Sequence, residues 1–288
     1  MPELLIWIDG KLVPKSQATV SVYDHGLLYG DGCFEGIRSY GGRIFKLGAH
    51  LRRMWLSSEK IRLNPAYTQA QVGDAIRETL VANGIADGYI RLIFTRGVGT
   101  LGLNPFTCPT PGTIIIADKI QLYPEKLYRE GMKIIVAKRP RVPIACLDPA
   151  VKSLNYLNNI LAKIEAIEAD VLEAIMLNTE GFVSECTGDN IFIVSKGVLK
   201  TPSIDAGILE GITRNAIIKL AKEAGIEVVE GPFTRHDIYV ADECFLTGSA
   251  AEAIPVVSLD GRPIGDGKPG PVFKDLLVRF QKLTRTKA

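Results

Sequence analysis

Apolar and polar residues follow two different periods in the first part of the chain. The segments LIWIDGKLV and FEGIRSYGGRIFKL each read as two short strands around a turn, Asp9-Gly10 in the first and Gly41-Gly42 in the second. In GAHLRRMWLSSEKI and AQVGDAIRETLVANG the apolar residues recur at helical spacing, and Gly84 is placed to end the second helix. Strands and helices therefore alternate here.

A strand with strict alternation is predicted in GYIRLIFTRG, and GTIIIADK reads as another strand. Successive side chains of a strand point to opposite faces. Ile90, Leu92 and Phe94 make an apolar set for the core, so we expect Tyr89 and Arg91 to face the other side.

The second part of the chain follows the segment IQLYPEKLYREG, which has no sustained period and is interpreted as a connection. Strands are predicted at MKIIVAKR, EAIMLNT, NIFIVSKGVLKT and ECFLTGS, and helices over 154–169 and 212–224. The pattern favours an α/β fold with much hairpin-derived antiparallel sheet. It predicts an N-terminal domain over 1–118, an interdomain loop over 119–131 and a C-terminal domain over 132–288.

Composition excludes several classes of protein. The net charge is +2 and the basic residues are spread along all 288 positions, which argues against a nucleic-acid or membrane surface. No apolar run approaches the ~20 residues that a membrane span needs. Five scattered cysteines without a C-x-x-C pair favour reduced thiols in a cytoplasmic protein. The three histidines lie far apart, so no metal site is expected.

Two glycine-containing segments are candidate phosphate sites. GVGTLG, residues 97–102, matches G-x-G-x-x-G, but a dinucleotide loop must open a helix and LNPFTCPTPG cannot, so a loop is predicted. In LEGITRNAIIKLAKEAG, Gly211 precedes a helix that begins with Ile212 and Thr213. The free N–H groups of its first turn attract anions, although a threonine there also serves simply as a cap.

Lys152 is isolated in the uncharged run AVKSLNYLNN, ahead of an amphipathic helix. A lysine in a largely apolar site has a lowered pKa, and its neutral amine acts as a nucleophile or a base. Glu185 is a carboxylate at the turn in SECTGDN, and LTGSAAE is a second turn rich in N–H groups. Lysine, carboxylate and phosphate site together match what pyridoxal phosphate requires.

At these residues the chain resembles the class IV aminotransferases, or fold type IV pyridoxal phosphate enzymes, and most closely the branched-chain amino acid aminotransferases. The resemblance runs from IWIDGKLV to DGKPGPVFKDL and includes YGDGCFEGIRSY, HLRRM, VKSLNYLNNILAKIEA, SECTGDN, LEGITR and FLTGSAAE. It implies the two-domain fold of that family with largely antiparallel or mixed sheets. It also implies a homodimer or higher homo-oligomer.

The resemblance assigns roles to individual residues. Lys152 would form the Schiff base and carry the proton, Glu185 would pair with the pyridine nitrogen, and Tyr156 would bind the phenolic oxygen. Leu209 would pack on the ring face. The remaining cofactor-binding residues, which include the phosphate ligands, would be Arg53, Ile212, Thr213, Gly248 and Ser249.

The substrates implied are branched-chain amino acids, glutamate and their 2-oxo acids. The residues that would line the substrate pocket are Tyr29, Phe34, Arg38, Tyr89, Arg91 and Tyr123, with Ala250 beside the α-carboxylate. Either Arg91 or Arg38 would bind the γ-carboxylate of glutamate.

Three other activities of the same fold stay open. KSLNY is one residue shorter than the corresponding branched-chain pattern and is closer to D-amino acid aminotransferases. An (R)-selective amine transaminase and an aminodeoxychorismate lyase are the remaining alternatives. FEGIR, YIRLIF and the following GLNP favour the branched-chain type, and no Arg-x-His pair follows the TRG turn.

Overall fold

The computed structural model describes residues 3–285, and their packing divides the chain into two compact units. Unit 1 is formed by the chain up to Ile120 together with the short segment Val151–Asn155. Unit 2 is formed by Gln121–Ala150 and by the chain from Tyr156 onward.

In the described part of unit 1, from residue 3 onward, six strands form one antiparallel sheet. Its strands and α-helices are β1 (Leu5–Ile8), β2 (Lys11–Pro14), α1 (His25–Tyr29), β3 (Gly32–Tyr40), β4 (Arg43–Ile44), α2 (Leu47–Lys60), α3 (Gln69–Ala82), β5 (Gly88–Thr95) and β6 (Gly112–Asp118). The strand order is β2-β1-β6-β5-β3-β4, and every neighbouring pair is antiparallel.

Both predicted hairpins are confirmed. β1 pairs with β2 and β3 with β4, each across a two-residue turn. The turn residues have positive φ, 46° at Asp9, 93° at Gly10, 55° at Gly41 and 82° at Gly42. Positive φ at both turn positions matches the twist of the flanking strands, which is why Asp-Gly and Gly-Gly occur there.

The alternation predicted for β5 is also confirmed. Ile90, Leu92 and Phe94 are fully buried in the core that α2 and α3 cover, whereas Tyr89 and Arg91 are half-buried on the opposite face. The two faces of β5 thus have different tasks, since one packs the core and the other presents an aromatic ring and a guanidinium.

The segment that contains Lys152 continues the sheet of unit 1. The Lys152 carbonyl accepts from the N–H of Phe34, and the Gly32 carbonyl accepts from the N–H of Leu154. Ser153 forms an antiparallel bridge with Cys33. This pairing keeps residues 152–154 extended, so the helix predicted from residue 154 begins only at Leu157.

Among the residues that the structure describes, unit 2 contains nine strands in one mixed sheet. Its elements are α4 (Glu125–Glu130), β7 (Met132–Val136), α5 (Leu157–Glu168), β8 (Ala174–Leu177), β9 (Val183–Cys186), β10 (Asn190–Ser195), β11 (Val198–Thr201), α6 (Ile212–Glu223), β12 (Val228–Glu230), α7 (Arg235–Tyr239), β13 (Glu243–Gly248), β14 (Glu252–Leu259), β15 (Arg262–Pro263) and α8 (Pro271–Arg285). The strand order is β12-β11-β10-β13-β14-β7-β8-β9, with β15 paired to β14.

The expected α/β fold with antiparallel and mixed sheets is confirmed. In unit 2 the pairs β11–β12, β14–β7 and β7–β8 are parallel, and the others are antiparallel. Four helices of the described residues are not predicted from the sequence, α1, α7, α8 and the short α4, which lies inside the segment interpreted as a connection. The domain boundaries at 118 and 131 stay a prediction, because compact packing and independent folding are different properties.

No helix within residues 3–285 combines the length and the apolar character that crossing a membrane requires.

Candidate active site

Lys152 is fixed in unit 1 by its own backbone. Its N–H donates to Ser57 Oγ at 3.2 Å, and its carbonyl accepts from the Phe34 N–H at 2.9 Å. The side chain is half-buried, and its Nζ lies 4.6 Å from the centre of the Phe34 ring. An ammonium over an aromatic face is attracted to the ring quadrupole. The lysine is therefore held against an apolar wall, as its isolated position in the sequence indicated.

Phe34 also contacts the guanidinium of Arg91, whose Cζ lies 4.4 Å from the ring centre. Arg91 lies 5.5 Å from the centre of the Tyr89 ring as well. The same face of the sheet presents Arg38, which stands opposite Tyr89 in the register of β3 and β5. Four residues predicted to line the substrate pocket thus share one face, because paired residues of antiparallel strands point the same way.

Gly36 makes room on this face. It stands opposite Arg91, and a Cβ built at Gly36 would lie 2.0 Å from the Tyr89 hydroxyl oxygen. A side chain there would displace the tyrosine, so glycine lets the ring cross the strand between Phe34 and Arg38.

Arg53 on α2 is bound to a fully buried carboxylate. Its Nε donates to Glu35 Oε1 at 2.7 Å and its Nη2 to Glu35 Oε2 at 2.9 Å. His50, one turn earlier on α2, lies 2.8 Å from Glu35 through Nδ1. Burial alone would raise the pKa of Glu35, but the charge of Arg53 and the hydrogen bonds outweigh it and lower that pKa to about 2. Arg53 is thus held in one orientation.

Tyr29 ends α1, and its hydroxyl accepts from the N–H of Gly102 at 2.9 Å. Its ring also packs edge-on against His25. Gly102 belongs to the GVGTLG segment, which has no helix, as predicted. Tyr29 therefore fixes that loop, and its place in the substrate pocket stays a prediction.

In unit 2, Glu185 on β9 is held from two sides. Arg141 Nη2 lies 2.9 Å from Glu185 Oε1. Oε2 accepts from the Leu209 N–H at 2.9 Å and from Asn190 Nδ2 at 3.5 Å. Glu185 and Arg141 are both 6% exposed, so their attraction is little screened by water. A carboxylate held in this way keeps its orientation.

Arg141 is in turn positioned by the start of α5. Its Nη1 donates to Asn159 Oδ1 at 2.9 Å, and Asn159 Nδ2 donates to the Thr187 carbonyl at 2.8 Å. Thr187 follows β9 in the turn to β10, so the chain of contacts returns to the segment that carries Glu185. Tyr156, expected beside the phenolic oxygen, is the residue that caps α5.

Asn190 connects Glu185 to the start of α6. Its Nδ2 donates to the Leu209 carbonyl at 2.9 Å, so Leu209 is held through both its N–H and its C=O. A Cβ at Gly211 would lie 2.0 Å from Asn190 Oδ1, which explains the glycine. Gly211 caps α6 without a side-chain hydrogen bond, and Ile212 and Thr213 open the helix as predicted.

The turn 249–251 joins β13 to β14 and contains Ser249 and Ala250. Thr247, in the strand before it, stands opposite Asn190 and is 1% exposed. Among the described residues its Oγ1 has no hydrogen-bond partner. Because paired residues point the same way, this buried hydroxyl lies on the face of the sheet that carries Asn190.

Tyr123 does not have the surroundings expected of a residue that closes a substrate pocket. It is 3% exposed in the core of unit 2. Its hydroxyl lies 3.0 Å from Asp189 Oδ2 and 3.2 Å from Glu173 Oε2. These contacts do not support the expected substrate role, because the hydroxyl is engaged by two buried carboxyl groups. Asp189, which lies in the segment SECTGDN, is buried in the same cluster.

Sequence reasoning missed Glu35, His50, Arg141, Asn159 and Asn190. Some signals were present, because Glu35 is a lone acid in a strand of buried residues and His50 precedes Arg53 by one helical turn. Arg141 has no such signal. It lies in an irregular stretch between two prolines, and only the folded chain brings it to Glu185.

Comparison with known proteins shows the family of the chain. The family model for amino-transferase class IV matches residues 32–259. The chain belongs to the class IV aminotransferases. A Methanocaldococcus jannaschii protein named "Putative branched-chain-amino-acid aminotransferase" is 51% identical over 282 residues, which cover 98% of this chain and 96% of the relative. The branched-chain-amino-acid aminotransferase of Pseudomonas aeruginosa is 38% identical over 98% of this chain and 94% of the relative.

Solved structures of class IV aminotransferases have the same fold. The crystal structure of the Escherichia coli branched-chain amino acid aminotransferase superposes with a TM-score of 0.93 at 36% identity, covering 98% of this chain and 93% of that one. The branched-chain amino acid aminotransferase of T.th., complexed with N-(5'-phosphopyridoxyl)-L-glutamate, superposes with a TM-score of 0.92 at 36% identity, covering 99% and 95%.

Proposed function

We propose that this class IV aminotransferase transfers the amino group of leucine, isoleucine or valine to 2-oxoglutarate, with pyridoxal 5′-phosphate as cofactor. The observation that carries the proposal is the Phe34 ring, which lies 4.6 Å from the ammonium of Lys152 and 4.4 Å from the guanidinium of Arg91. An apolar wall and a cation beside one amine suit a pocket that accepts both an aliphatic side chain and a carboxylate. The names of the relatives support the same substrates.

The residues of unit 2 fit the proposed cofactor. Glu185 offers an oriented carboxylate for the pyridine nitrogen, and the first turn of α6 offers N–H groups for the phosphate. Thr247 adds a buried hydroxyl with no partner among the described residues. The T.th. relative was solved with pyridoxamine 5'-phosphate, which supports the assignment.

Each residue then has a defined task. When bound, pyridoxal phosphate supplies an electron sink that stabilises negative charge at the substrate Cα. Glu185 holds a proton at the pyridine nitrogen, and Arg141 holds the Glu185 carboxylate in position. Lys152 binds the cofactor covalently between turnovers and, as a free amine, removes the Cα proton from the amino acid. Phe34 limits the water around that amine.

Anchoring and recognition are divided among other residues. Arg53, Ile212, Thr213, Gly248 and Ser249 bind the cofactor, Tyr156 its phenolic oxygen, and Leu209 packs on the ring. The turn at Ser249 and Ala250 receives the α-carboxylate, and Arg91 receives the γ-carboxylate of glutamate. Phe34, Tyr89, Arg38 and Tyr29 shape the substrate pocket.

The test is a substrate panel with the holoenzyme. L- and D-enantiomers of leucine, isoleucine and valine are each supplied with 2-oxoglutarate, and glutamate formation is measured. We expect glutamate only with the L-enantiomers. Faster turnover of D-amino acids would assign a D-amino acid aminotransferase instead, and cleavage of aminodeoxychorismate without an acceptor would assign a lyase.

We also propose a homodimer or higher homo-oligomer. Leu157, Ile160, Ile164 and Ile167 form one row on α5, and each is between 43% and 65% exposed. A row of this kind marks an interface, and a two-fold axis would pair it with itself. Light scattering of Ile164→Lys should show a smaller mass than the wild type, whereas Val240→Lys, which changes an exposed valine elsewhere, should not.

A cytoplasmic location completes the proposal. All five cysteines are free thiols, three of them buried. Such a set agrees with a reducing compartment. Fractionation of cells that produce the protein, with activity measured in each fraction, tests this point.

A further inference from the structure

Asp189, Glu173 and Tyr123 form a buried cluster in unit 2 to which the reaction assigns no task. Their exposed fractions are 5%, 1% and 3%. The Tyr123 hydroxyl lies within hydrogen-bond distance of both carboxyl groups, 3.0 Å from Asp189 Oδ2 and 3.2 Å from Glu173 Oε2. A phenol has one proton, so it cannot donate fully to two carboxylates.

The two carboxyl groups differ in the donors that surround them. Glu173 Oε1 accepts from the N–H groups of Ala174 and Thr187, at 2.8 and 3.0 Å, and from the Thr187 hydroxyl at 2.5 Å. Lys163 Nζ lies 3.6 Å from Glu173 Oε2. For the Asp189 carboxyl, the structure gives Tyr123 as its hydrogen-bond partner among the described residues. Glu173 is therefore the stabilised anion of the pair.

A proton on Asp189 would resolve this competition for the phenol. Its O–H would donate to the Tyr123 oxygen, and Tyr123 would donate its own O–H to Glu173. Each of the three groups in the cluster would then have a hydrogen-bond partner, and the cluster would carry one negative charge instead of two. Burial and the nearby charge of Glu173 together raise the pKa of Asp189 to about 7.

The charged and titratable groups that face Asp189 come from several elements. They are Tyr123 before α4, Lys163 on α5, Glu173 before β8, and Glu185 and Cys186 on β9. Lys163 is the cation of this set, and it is half-buried against Glu173. The charges nearest Asp189 are thus predominantly negative, which opposes a second anion in the cluster.

The Asp189 carboxyl also touches the turn that the proposed function assigns to the substrate. A Cβ at Gly248 would lie 2.0 Å from Asp189 Oδ1, so this oxygen rests on the Gly248 backbone. Gly248 ends β13, and the turn with Ser249 and Ala250 follows directly. A negative charge here would oppose a carboxylate that binds at the turn.

We propose that Asp189 is a neutral carboxylic acid when substrate binds, and that loss of its proton at higher pH weakens binding of the substrate α-carboxylate at the turn 248–250. Asp189 is thus a positioning residue that acts through the backbone of this turn. The inference rests on the proposed function, because it takes the turn as the carboxylate site.

The first experiment measures the proton. Infrared spectra of the holoenzyme, labelled with ¹³C-aspartate, are recorded from about pH 5.5 to about pH 8.5, a range that brackets the expected ionisation. We expect the C=O stretch of a protonated aspartic acid at the lower pH, its loss with a midpoint near neutrality, and no such band in Asp189→Asn. Absence of the band in the wild type at the lower pH would overturn the proposal, whether or not the protein transaminates.

The second experiment measures the carboxylate. Calorimetry gives the affinity of the holoenzyme for 4-methylvaleric acid, a ligand of the T.th. relative, and for its neutral amide. The acid should bind on the order of 10-fold more weakly at the higher pH, relative to the amide, because two like charges then face each other across the turn. Asp189→Asn should remove this difference, and the exposed control Asp170→Asn should retain it.

Glu173→Gln gives an independent check. Removing the neighbouring negative charge should move the midpoint of the infrared band and the midpoint of the ligand affinity to lower pH together. A midpoint that moves for the band and not for the ligand would mean that Asp189 has no effect on the turn. Failure of the acid to bind the wild type at any pH would overturn the assigned carboxylate site and this coupling together.

Discussion

The guanidinium of Arg141 lies 2.9 Å from the carboxylate of Glu185, and each of the two side chains is less than one-tenth exposed. A buried ion pair is stabilising only when both charges are present, since the loss of one partner leaves the other unpaired in a medium of low polarity. Arg141 also bonds Asn159, so its position is fixed independently of Glu185. The pair orients the carboxylate before any ligand arrives.

Replacement of Arg141 by methionine should therefore lower the free energy of unfolding by roughly 3–5 kcal/mol. The double variant Arg141→Met/Glu185→Gln should recover part of this loss, because no buried charge remains alone. Urea unfolding of the cofactor-free proteins measures both. Arg139 is the matched control, since it is 47% exposed and 3.9 Å from Glu165, and its change to methionine should cost less than about 1 kcal/mol.

Glu35 should control the acid stability of unit 1. Its pKa is lowered to about 2 in the folded protein from an ordinary value of 4.5, so the folded state binds fewer protons than the unfolded state. The stabilisation is present above about pH 4.5 and is lost as the pH falls toward 2. The shift corresponds to roughly 3 kcal/mol.

Glu35→Gln should remove that dependence. Unfolding free energies measured from neutral pH down to about pH 2.5 should fall more steeply for the wild type than for the variant, and the variant should be less stable at neutral pH. Asp74→Asn, at an exposed ion pair of α3, should follow the wild-type profile. Parallel profiles for the wild type and Glu35→Gln would contradict the charged state assigned to Glu35.

Some of these features could be predicted from the sequence and others could not, and the difference has a physical cause. The faces of β5, the two hairpin turns and the start of α6 depend on residues within a few positions, so local period and turn chemistry suffice. Lys152 is different, because its N–H partner Ser57 is 95 residues away. Residues 152–154 pair with β3, so α5 begins only at Leu157 and the Lys152 side chain lies against the Phe34 ring. No local sequence pattern predicts this pairing.

The same limit applies to the acidic clusters. Tyr123 belongs to a segment without period, Glu173 begins a predicted strand, and Asp189 looks like an ordinary turn acid when it is considered alone. Only the fold brings the phenol to both carboxyl groups. Glu185 was found because a motif surrounds it, whereas Arg141 lies where the backbone is irregular and carries no motif.

Lys152→Ala should abolish the visible absorption band of covalently bound cofactor and should abolish transamination. Because the backbone of residue 152 is held by Ser57 and Phe34, the change should leave the fold of this segment intact. Absorption spectra of the reconstituted proteins measure the effect. Lys219→Ala, on an exposed face of α6, should retain the wild-type spectrum, and a wild-type spectrum in Lys152→Ala would place the covalent bond on another lysine.

Arg91 should select for the substrate that carries a second carboxylate. Its guanidinium packs on Phe34 and Tyr89 and forms no ion pair with a described residue, so it is not committed to a surface acid. A guanidinium binds a carboxylate through two parallel hydrogen bonds, worth roughly 1.5–3 kcal/mol. The aliphatic side chain of leucine has no carboxylate and cannot form these hydrogen bonds.

Arg91→Leu should therefore lower kcat/KM for glutamate and 2-oxoglutarate by roughly 10–150-fold, and should change the half-reaction of leucine little. Single-turnover half-reactions with each amino acid separate the two effects. Arg38→Leu is the matched variant, since Arg38 lies on the same face of the sheet and stands opposite Tyr89. Equal losses for both substrates in Arg91→Leu would make Arg91 a structural support of Phe34. A loss of activity with glutamate and 2-oxoglutarate in Arg38→Leu alone would assign binding of the γ-carboxylate to Arg38. Arg38 and Arg91 lie on the same face of the sheet, so either guanidinium is a candidate.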